Sequence, residues 1–516
     1  MILCAVSEKL APALILVAYI LMMIVIAVVC RKKSRSLNDF FLAGRGLGGW
    51  MTAFAYGTTY FSSVIFVGYA GKFGWSMGLG AIWIGIGNAL IGALLAWKLL
   101  AKRTRLMTHN LGASTMPEFF ATRYNDRGLK LFSAIIIFTF LIPYSASVYQ
   151  GLGYLFEMVF GIDSIWCILI MAVLTALYLF FGGYFATALS DFVQGIIMLI
   201  GVVVMVILLM RAPEVNWSEG LSKLWTDGFG LVPASGGGLD SPLFNCIILV
   251  LLTSFGVWGL PQSVHKFYAV KSNKSIKQAM VVSTIFCLVI GFGAYFTGAL
   301  GHLFFSEVPE GGFDLIVPQM LQKALPSAVL GLIVVLVLSA SMSTLASLSL
   351  SGASSVAVDA YKGFIKKDAS EKQVNWMLRG FCLFFVVVSV LLAVFKISAI
   401  VTLMSLSWGV LAGCFIGPYV LGLYSKKVNK YGAYTSMVAC LVLTLILVIV
   451  FGVIEPKANG LTFANMISDG VKRAPLIGVI CMAVSPIVTY ITSLIFKDKN
   501  LNGEEIIEQT KTAVLE

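Results

Sequence analysis

The sequence predicts an all-helical integral membrane protein with about thirteen transmembrane helices. Three observations carry that reading. The 516-residue chain is 59% hydrophobic and only 12% charged, against about 45–50% apolar and about 25% charged in an average soluble domain. Its apolar residues come in stretches long enough to cross a bilayer core, which takes about 20 residues of helix. Its basic residues lie between those stretches in a one-sided pattern. A water-soluble globular protein is excluded, because no soluble core hides so much apolar surface.

In chain order the stretches are 10–30, 48–73, 77–100, 131–158, 164–183, 189–210, 243–262, 279–304, 327–356, 376–396, 399–424, 433–454 and 475–496. The first is long for a signal peptide, and its basic cluster Arg31-Lys32-Lys33 follows it, so it reads as an anchor with the N-terminus outside. Gly and Pro inside several stretches are tolerated where neighbouring helices re-satisfy the backbone. The tail 497–516 is short and polar, leaving one membrane domain over 1–516.

The net charge of +12 at first suggests a nucleic-acid partner. Its distribution says otherwise. With the N-terminus outside, 27 of the 36 basic residues fall in inner loops, among them Arg45, Arg105, Lys266, Lys271 and Lys430. The positive-inside rule therefore predicts N-out, C-in and an odd number of spans. The charge is an orientation signal, and the expected surroundings are the lipid bilayer of a plasma membrane, with no nucleic acid.

Redox and proton chemistry find little support. The nine cysteines lie singly with no CxxC spacing, so neither a disulfide framework nor a metal cluster is implied. The three histidines, His109, His265 and His302, fall in loops or at span ends, whereas haem needs axial ligands inside helices and proton carriers need ionisable groups in mid-membrane. Asp191 stands at the inner start of the sixth stretch, where it reads either as a helix cap or as a functional carboxylate.

Two stretches carry breaks. The second runs Thr52-Ala53-Phe54-Ala55-Tyr56-Gly57-Thr58-Thr59-Tyr60-Phe61-Ser62-Ser63, and its central hydroxyls compete with helical hydrogen bonds. The seventh holds Gly256, Gly259 and Pro261, which weaken it likewise. Each break opens a set of five spans, the second to sixth and the seventh to eleventh. A five-span step inverts the second set, and matched discontinuous helices in two halves are the pointer to a transporter's binding site. In the ninth stretch Ala340, Ser343, Thr344, Ser347 and Ser351 recur at i, i+3, i+4, i+7 and i+11, one small hydroxyl-bearing face. It reads either as a packing face or as oxygen ligands for a hard monovalent cation.

Leu42-Ala43-Gly44-Arg45, Phe181-Gly182-Gly183-Tyr184, Ser190-Asp191-Phe192-Val193-Gln194, Met342-Ser343-Thr344-Leu345 and Gly422-Leu423-Tyr424-Ser425-Lys426-Lys427 through Gly432-Ala433 give the chain a resemblance to the sodium:solute symporters, over nearly its whole length. The resemblance implies a LeuT-like five-plus-five inverted repeat: an extra first helix at 10–30, repeats at 48–210 and 243–424, and two extra helices at 433–496. It also implies a sodium site of Thr58, Phe61 and Ala340 carbonyls with Ser343 and Thr344 hydroxyls. Asp191 matches a position that serves a further sodium in some members, with Ser347 as its remaining hydroxyl companion. The implied substrate-binding residues are Ser62, Ser63, Tyr144, Trp258 and Trp408.

Within the family, Val64, Ile65 and Phe66 stand where the sugar branch has amide and charged side chains, and Tyr60 stands where the sodium/proline branch has an aspartate. Thr59-Tyr60-Phe61-Ser62, Phe255-Gly256-Val257, Gly259-Leu260-Pro261 and Gly298-Ala299-Leu300-Gly301 resemble the sodium/pantothenate branch. The expectation is a secondary active symporter, not an enzyme. It takes up a small carboxylate-bearing solute with Na+ as coupling ion and no organic cofactor. The alternatives are a sodium-independent or proton-coupled facilitator, or a transporter-fold sensor.

Overall fold

A computed structural model describes residues 2–30, 42–396, 398–454, 462–498 and 506–508. The basic cluster 31–35 and most of the expected tail 497–516 lie outside the described residues. Among the described residues all regular structure is helical, with one isolated parallel bridge between Leu47 and Val270.

Among the described residues ten helices are long and apolar enough to cross a membrane, or eleven if the bent pair Pro242–Gly256 and Pro261–Ala269 forms one span. That is fewer than the thirteen expected. The difference lies in two helical runs of 47 residues, Val64–Asn110 and Ser164–Met210. The first holds 77–100 and the end of 48–73, the second both 164–183 and 189–210. A straight helix of that length measures about 70 Å, more than twice a bilayer core of about 30 Å. In the first run Gly78 adopts φ 58°, close to where the two stretches were expected to meet; glycine tolerates that conformation because it has no Cβ.

Local chemistry sets many helix starts. Asp126 accepts from the Leu129 N–H, Asp163 from Ile165 N–H and Ser272 from Ser275 N–H, while Ser370 and Gln373 form a reciprocal capping box; each satisfies donors that a helix start leaves open. Packing then separates inner from outer helices. Ser327–Ser354 and Ile400–Tyr424 are buried nearly throughout. Ile2–Cys30 and Lys430–Ile454 expose Leu14, Leu21, Leu445 and Ile446, as helices do whose outer face meets lipid. Glycines permit direct backbone contact between inner helices: a Cβ on Gly298 would stand 2.0 Å from the Ala70 carbonyl oxygen, and Gly85 meets Gly291 in the same way.

Two expectations are corrected. Asp191 is no helix cap: it lies inside the continuous helix Ser164–Met210 and is fully buried. Lys266 is no loop charge: it sits on the short helix Pro261–Ala269 with 1% exposure. A polar run after the second break looked like a loop, but the helix resumes there and turns it inward.

Candidate ion and solute site

The first break begins with two threonines. The Thr58 and Thr59 hydroxyls donate back to the Phe54 and Ala55 carbonyls at 2.8 and 2.7 Å, drawing on acceptors one turn earlier. Helix Gly49–Tyr60 ends there, and Phe61 is extended at φ −112°, ψ 134°. The carbonyls beyond then lose their helical donors. The Ser63 N–H, which would serve Thr59 in a continuous helix, donates instead to Ser341 Oγ at 2.9 Å. The Ile65 N–H, which would serve Phe61, donates to the Ser62 carbonyl at 3.1 Å.

Helix Ser327–Ser354 faces these freed oxygens. Thr344 Oγ1 lies 3.3 Å from each of the Thr58, Thr59 and Phe61 carbonyl oxygens and 3.1 Å from that of Ala340. A hydroxyl has one proton, so it satisfies one of these four acceptors. Oxygen lone pairs therefore converge here with too few donors, an arrangement that favours a cation. Ser343, one position earlier, donates to Asp191 Oδ1 at 2.6 Å and lies 2.7 Å from Thr58 Oγ1. Thr58, Phe61, Ala340, Ser343 and Thr344, from two helices about 280 residues apart in sequence, are thus brought to one place. Their neutral oxygens, with Asp191 beside them, suit sodium; the break supplies the Thr58 and Phe61 carbonyls, and the facing helix the Ala340 carbonyl and two hydroxyls.

Lys266 is the residue that sequence reasoning missed. Its Nζ donates to Ser347 Oγ at 3.1 Å and stands 3.7 Å from Asp191 Oδ2. Ser347 in turn lies 3.0 Å from Thr59 Oγ1. Asp191 and Ser347, expected together at a second sodium, are joined through this lysine.

On the other side of the break is a small cavity of about 20 Å³, walled by Tyr60, Phe61, Ser62, Ile65, Tyr69, Asn88, Thr253, Tyr295, Met404 and Trp408. That is room for about one water. Ser62 and Trp408 line it. Tyr144 packs edge-on against Trp408 at 5.8 Å between centroids. Tyr144 Oη and Trp408 Nε1 are both buried with no hydrogen-bond partner among the described residues, which is unusual for such groups. Ser63 points elsewhere, donating to the Val148 carbonyl at 2.8 Å. Trp258 is outside the cavity wall; its N–H is taken by the Ile91 carbonyl at 3.1 Å. Asn88 carries polar atoms that sequence reading did not single out: its Oδ1 accepts from Thr253 Oγ1 at 2.6 Å, and Tyr60 donates to the Thr253 carbonyl at 2.6 Å.

The two broken helices are also tied at one end. The Leu47 N–H donates to the Ala269 carbonyl at 3.3 Å, and the Lys271 N–H to the Leu47 carbonyl at 3.0 Å. Arg105 caps this bridge, with Nε on the Val270 carbonyl at 2.9 Å and Nη2 on that of Lys271 at 2.7 Å. Arg45 holds the Ala113 carbonyl at 2.9 Å. Charged donors on carbonyls make strong hydrogen bonds, so Arg105 reinforces the backbone tie at this end.

The comparisons agree with this architecture. Residues 40–440 match the model of the sodium:solute symporter family. The chain is 31% identical over 434 residues to the osmoregulated proline transporter OpuE of Bacillus subtilis, covering 81% of this chain and 85% of that one. It is 29% identical over 515 residues to a sodium/proline symporter of Staphylococcus aureus, covering 98% and 96%. The high-affinity proline transporter PutP of Bacillus subtilis is 31% identical over 433 residues, covering 81% and 88%. Among solved structures, a Na+-coupled sialic acid symporter in a substrate-bound outward-open state superposes with a TM-score of 0.72 at 19% identity, covering 94% of this chain and 98% of that one. At that identity the likeness speaks for the fold.

Proposed function

Because the chain belongs to the sodium:solute symporter family, and is therefore a multi-pass membrane transporter and not an enzyme, we propose that it is a secondary active importer of a small carboxylate-bearing solute, coupled to sodium at Thr58, Phe61, Ala340, Ser343 and Thr344. The observation that carries the sodium site is the set of four carbonyl oxygens around the single Thr344 hydroxyl. The proposal keeps the layout of thirteen crossings in a five-plus-five inverted repeat, 48–210 and 243–424, within one domain. Its orientation is N-out and C-in in the plasma membrane.

Coupling follows from shared backbone. The break that frees the Thr58 and Phe61 carbonyls also presents Ser62 to the cavity. An ion between the two helices fixes that break, and with it one wall of the solute pocket. Ion binding thereby lowers the ordering cost of solute binding, and by linkage the solute strengthens ion binding equally. Tyr60, Ile65, Met404 and Trp408 offer apolar walls, while Ser62, Tyr144 Oη and Trp408 Nε1 offer polar contacts, a combination that suits a small solute with an apolar body. Proline is the first candidate because several relatives carry that name. Other amino acids, a pantothenate-like acid and short monocarboxylates follow. At about 20 Å³ the cavity admits none of these until its walls part, as alternating access requires.

Purified protein in proteoliposomes, given an inward sodium gradient and a panel of these solutes with sugars as controls, tests the reading. Uptake of one solute class above its level in a choline gradient is expected. Equal uptake in both gradients would make the protein a sodium-independent facilitator and overturn the proposal.

A further inference from the structure

The position beside the proposed sodium site contains a cation of the protein's own. Asp191, Ser343 and Ser347 converge from helices Ser164–Met210 and Ser327–Ser354, and Asp191 and Ser347 lie on either side of Lys266 Nζ. The carboxylate is fully buried, and its two oxygens are treated differently. Oδ1 accepts from Ser343 at 2.6 Å. Oδ2 has no hydrogen-bond partner among the described residues and stands 3.7 Å from the lysine nitrogen. A buried carboxylate without a nearby positive charge is strongly unfavourable, so something must neutralise it. Ser347 passes its own proton to Thr59 Oγ1 at 3.0 Å, since Thr59 already donates to Ala55. That leaves the Ser347 oxygen as an acceptor toward Lys266. A carboxylate oxygen and a hydroxyl lone pair are the ligands a monovalent metal ion would use there; an ammonium group uses them as well.

We infer that Lys266 is a tethered substitute for a second sodium ion: its ammonium group occupies the Asp191–Ser347 position, so that the protein loads one sodium where that position, vacated, would load a second. The inference rests on the sodium reading above and deepens it by setting the number of ions. It also gives the second broken helix a part in ion coupling. Lys266 is on Pro261–Ala269, immediately after the break, while Asp191 and Ser347 belong to the helices that surround the first break. The lysine therefore joins the two broken helices electrostatically through the ion site. In a site filled by a free ion, that link forms and dissolves with sodium; here it is permanent unless the helix moves.

Equilibrium binding of ²²Na⁺ to the purified full-length protein in lipid nanodiscs, without any solute, tests this. Wild type is expected to bind one sodium per chain. Lys266→Met is expected to bind two, with a steeper sodium dependence of thermal stability. The double variant Lys266→Met/Asp191→Asn, which has neither charge, is expected to return to one. Lys266→Gln keeps a donor for Ser347, carries the same expectation as Lys266→Met, and stands in if that variant fails to fold. Two sodium ions on wild type, or one on both single variants, would overturn the inference while leaving the symporter reading intact. No saturable sodium binding by wild type would instead overturn the sodium site itself.

Discussion

The Thr344 hydroxyl stands 3.3 Å from the carbonyl oxygen of Phe61, the residue at which the first broken helix turns extended. This contact joins an ordinary helix face to a backbone group that exists as an open acceptor only because the facing helix stops. Removing the hydroxyl removes the one side-chain ligand directed at all four carbonyls. Thr344→Ala is expected to raise the sodium concentration for half-maximal uptake by about 10-fold or more, the worth of one good interaction. Thr344→Ser should restore most of it. Ser343→Ala should act in the same direction, because it also frees Asp191 Oδ1. Unchanged sodium activation in both alanine variants would rule out this placement of the ion.

The solute pocket calls for a different measurement. Tyr144 Oη is buried with no hydrogen-bond partner among the described residues, so Tyr144→Phe deletes a polar group left unsatisfied there. Its thermal stability should hold or rise slightly, since an unsatisfied buried polar group costs about 1–3 kcal/mol. Its apparent constant for solute should rise by about 10-fold if the hydroxyl meets a carboxylate. Sodium binding in the absence of solute should stay as in wild type. A fall in stability with an unchanged solute constant would make Tyr144 a packing residue.

The parts of this site that could be read from sequence are those set by local geometry. The hydroxyl face of Ser327–Ser354 follows from helical spacing alone. The first break follows from Thr58, Thr59 and their neighbours, and the second from two glycines and a proline. Lys266 was hidden because its burial depends on Asp191, 75 positions away in sequence, and on a helix restarting after Pro261. Trp258 looked like a pocket wall beside that proline, yet its N–H is committed to Ile91. Gly298-Ala299-Leu300-Gly301 looked like a mark of substrate class. Its first glycine has a plainer cause in the Ala70 backbone against it. Such side-chain directions and helix crossings come from tertiary packing, which periodicity does not encode.

Closure at the Arg105 end should be adjustable. Its two hydrogen bonds to the Val270 and Lys271 carbonyls hold the end of the second broken helix against helix Lys102–Asn110, beside the backbone bonds to Leu47. A hydrogen bond from a charged group contributes about 1.5–3 kcal/mol, so Arg105→Ala should shift the balance toward opening on this side by about 10-fold or more. A cysteine replacing Ala269, which is fully buried, reports it through its rate of labelling by an impermeant maleimide from that side. The rate should increase in the Arg105→Ala background and decrease when sodium is added. Equal rates with and without Arg105 would mean that the clamp does not govern access.

Two glycine substitutions separate packing from helix propensity. At Gly298 an added methyl would stand 2.0 Å from the Ala70 carbonyl oxygen and 2.6 Å from its carbon, and neither atom can rotate away. The helices must part, which costs about 1–3 kcal/mol or more. At Gly380, on Glu371–Val394, the same methyl would meet nothing within 4 Å. There alanine gains its helical preference of about 0.8–1 kcal/mol over glycine. Gly298→Ala should therefore lower the melting temperature of the purified protein, and Gly380→Ala should hold or raise it. Because Gly298 packs the first broken helix's outer continuation against Asn273–Ala299, Gly298→Ala should also weaken uptake, whereas Gly380→Ala should leave it unchanged. A melting temperature in Gly298→Ala equal to wild type would show that this crossing is looser than the Ala70–Gly298 contact implies.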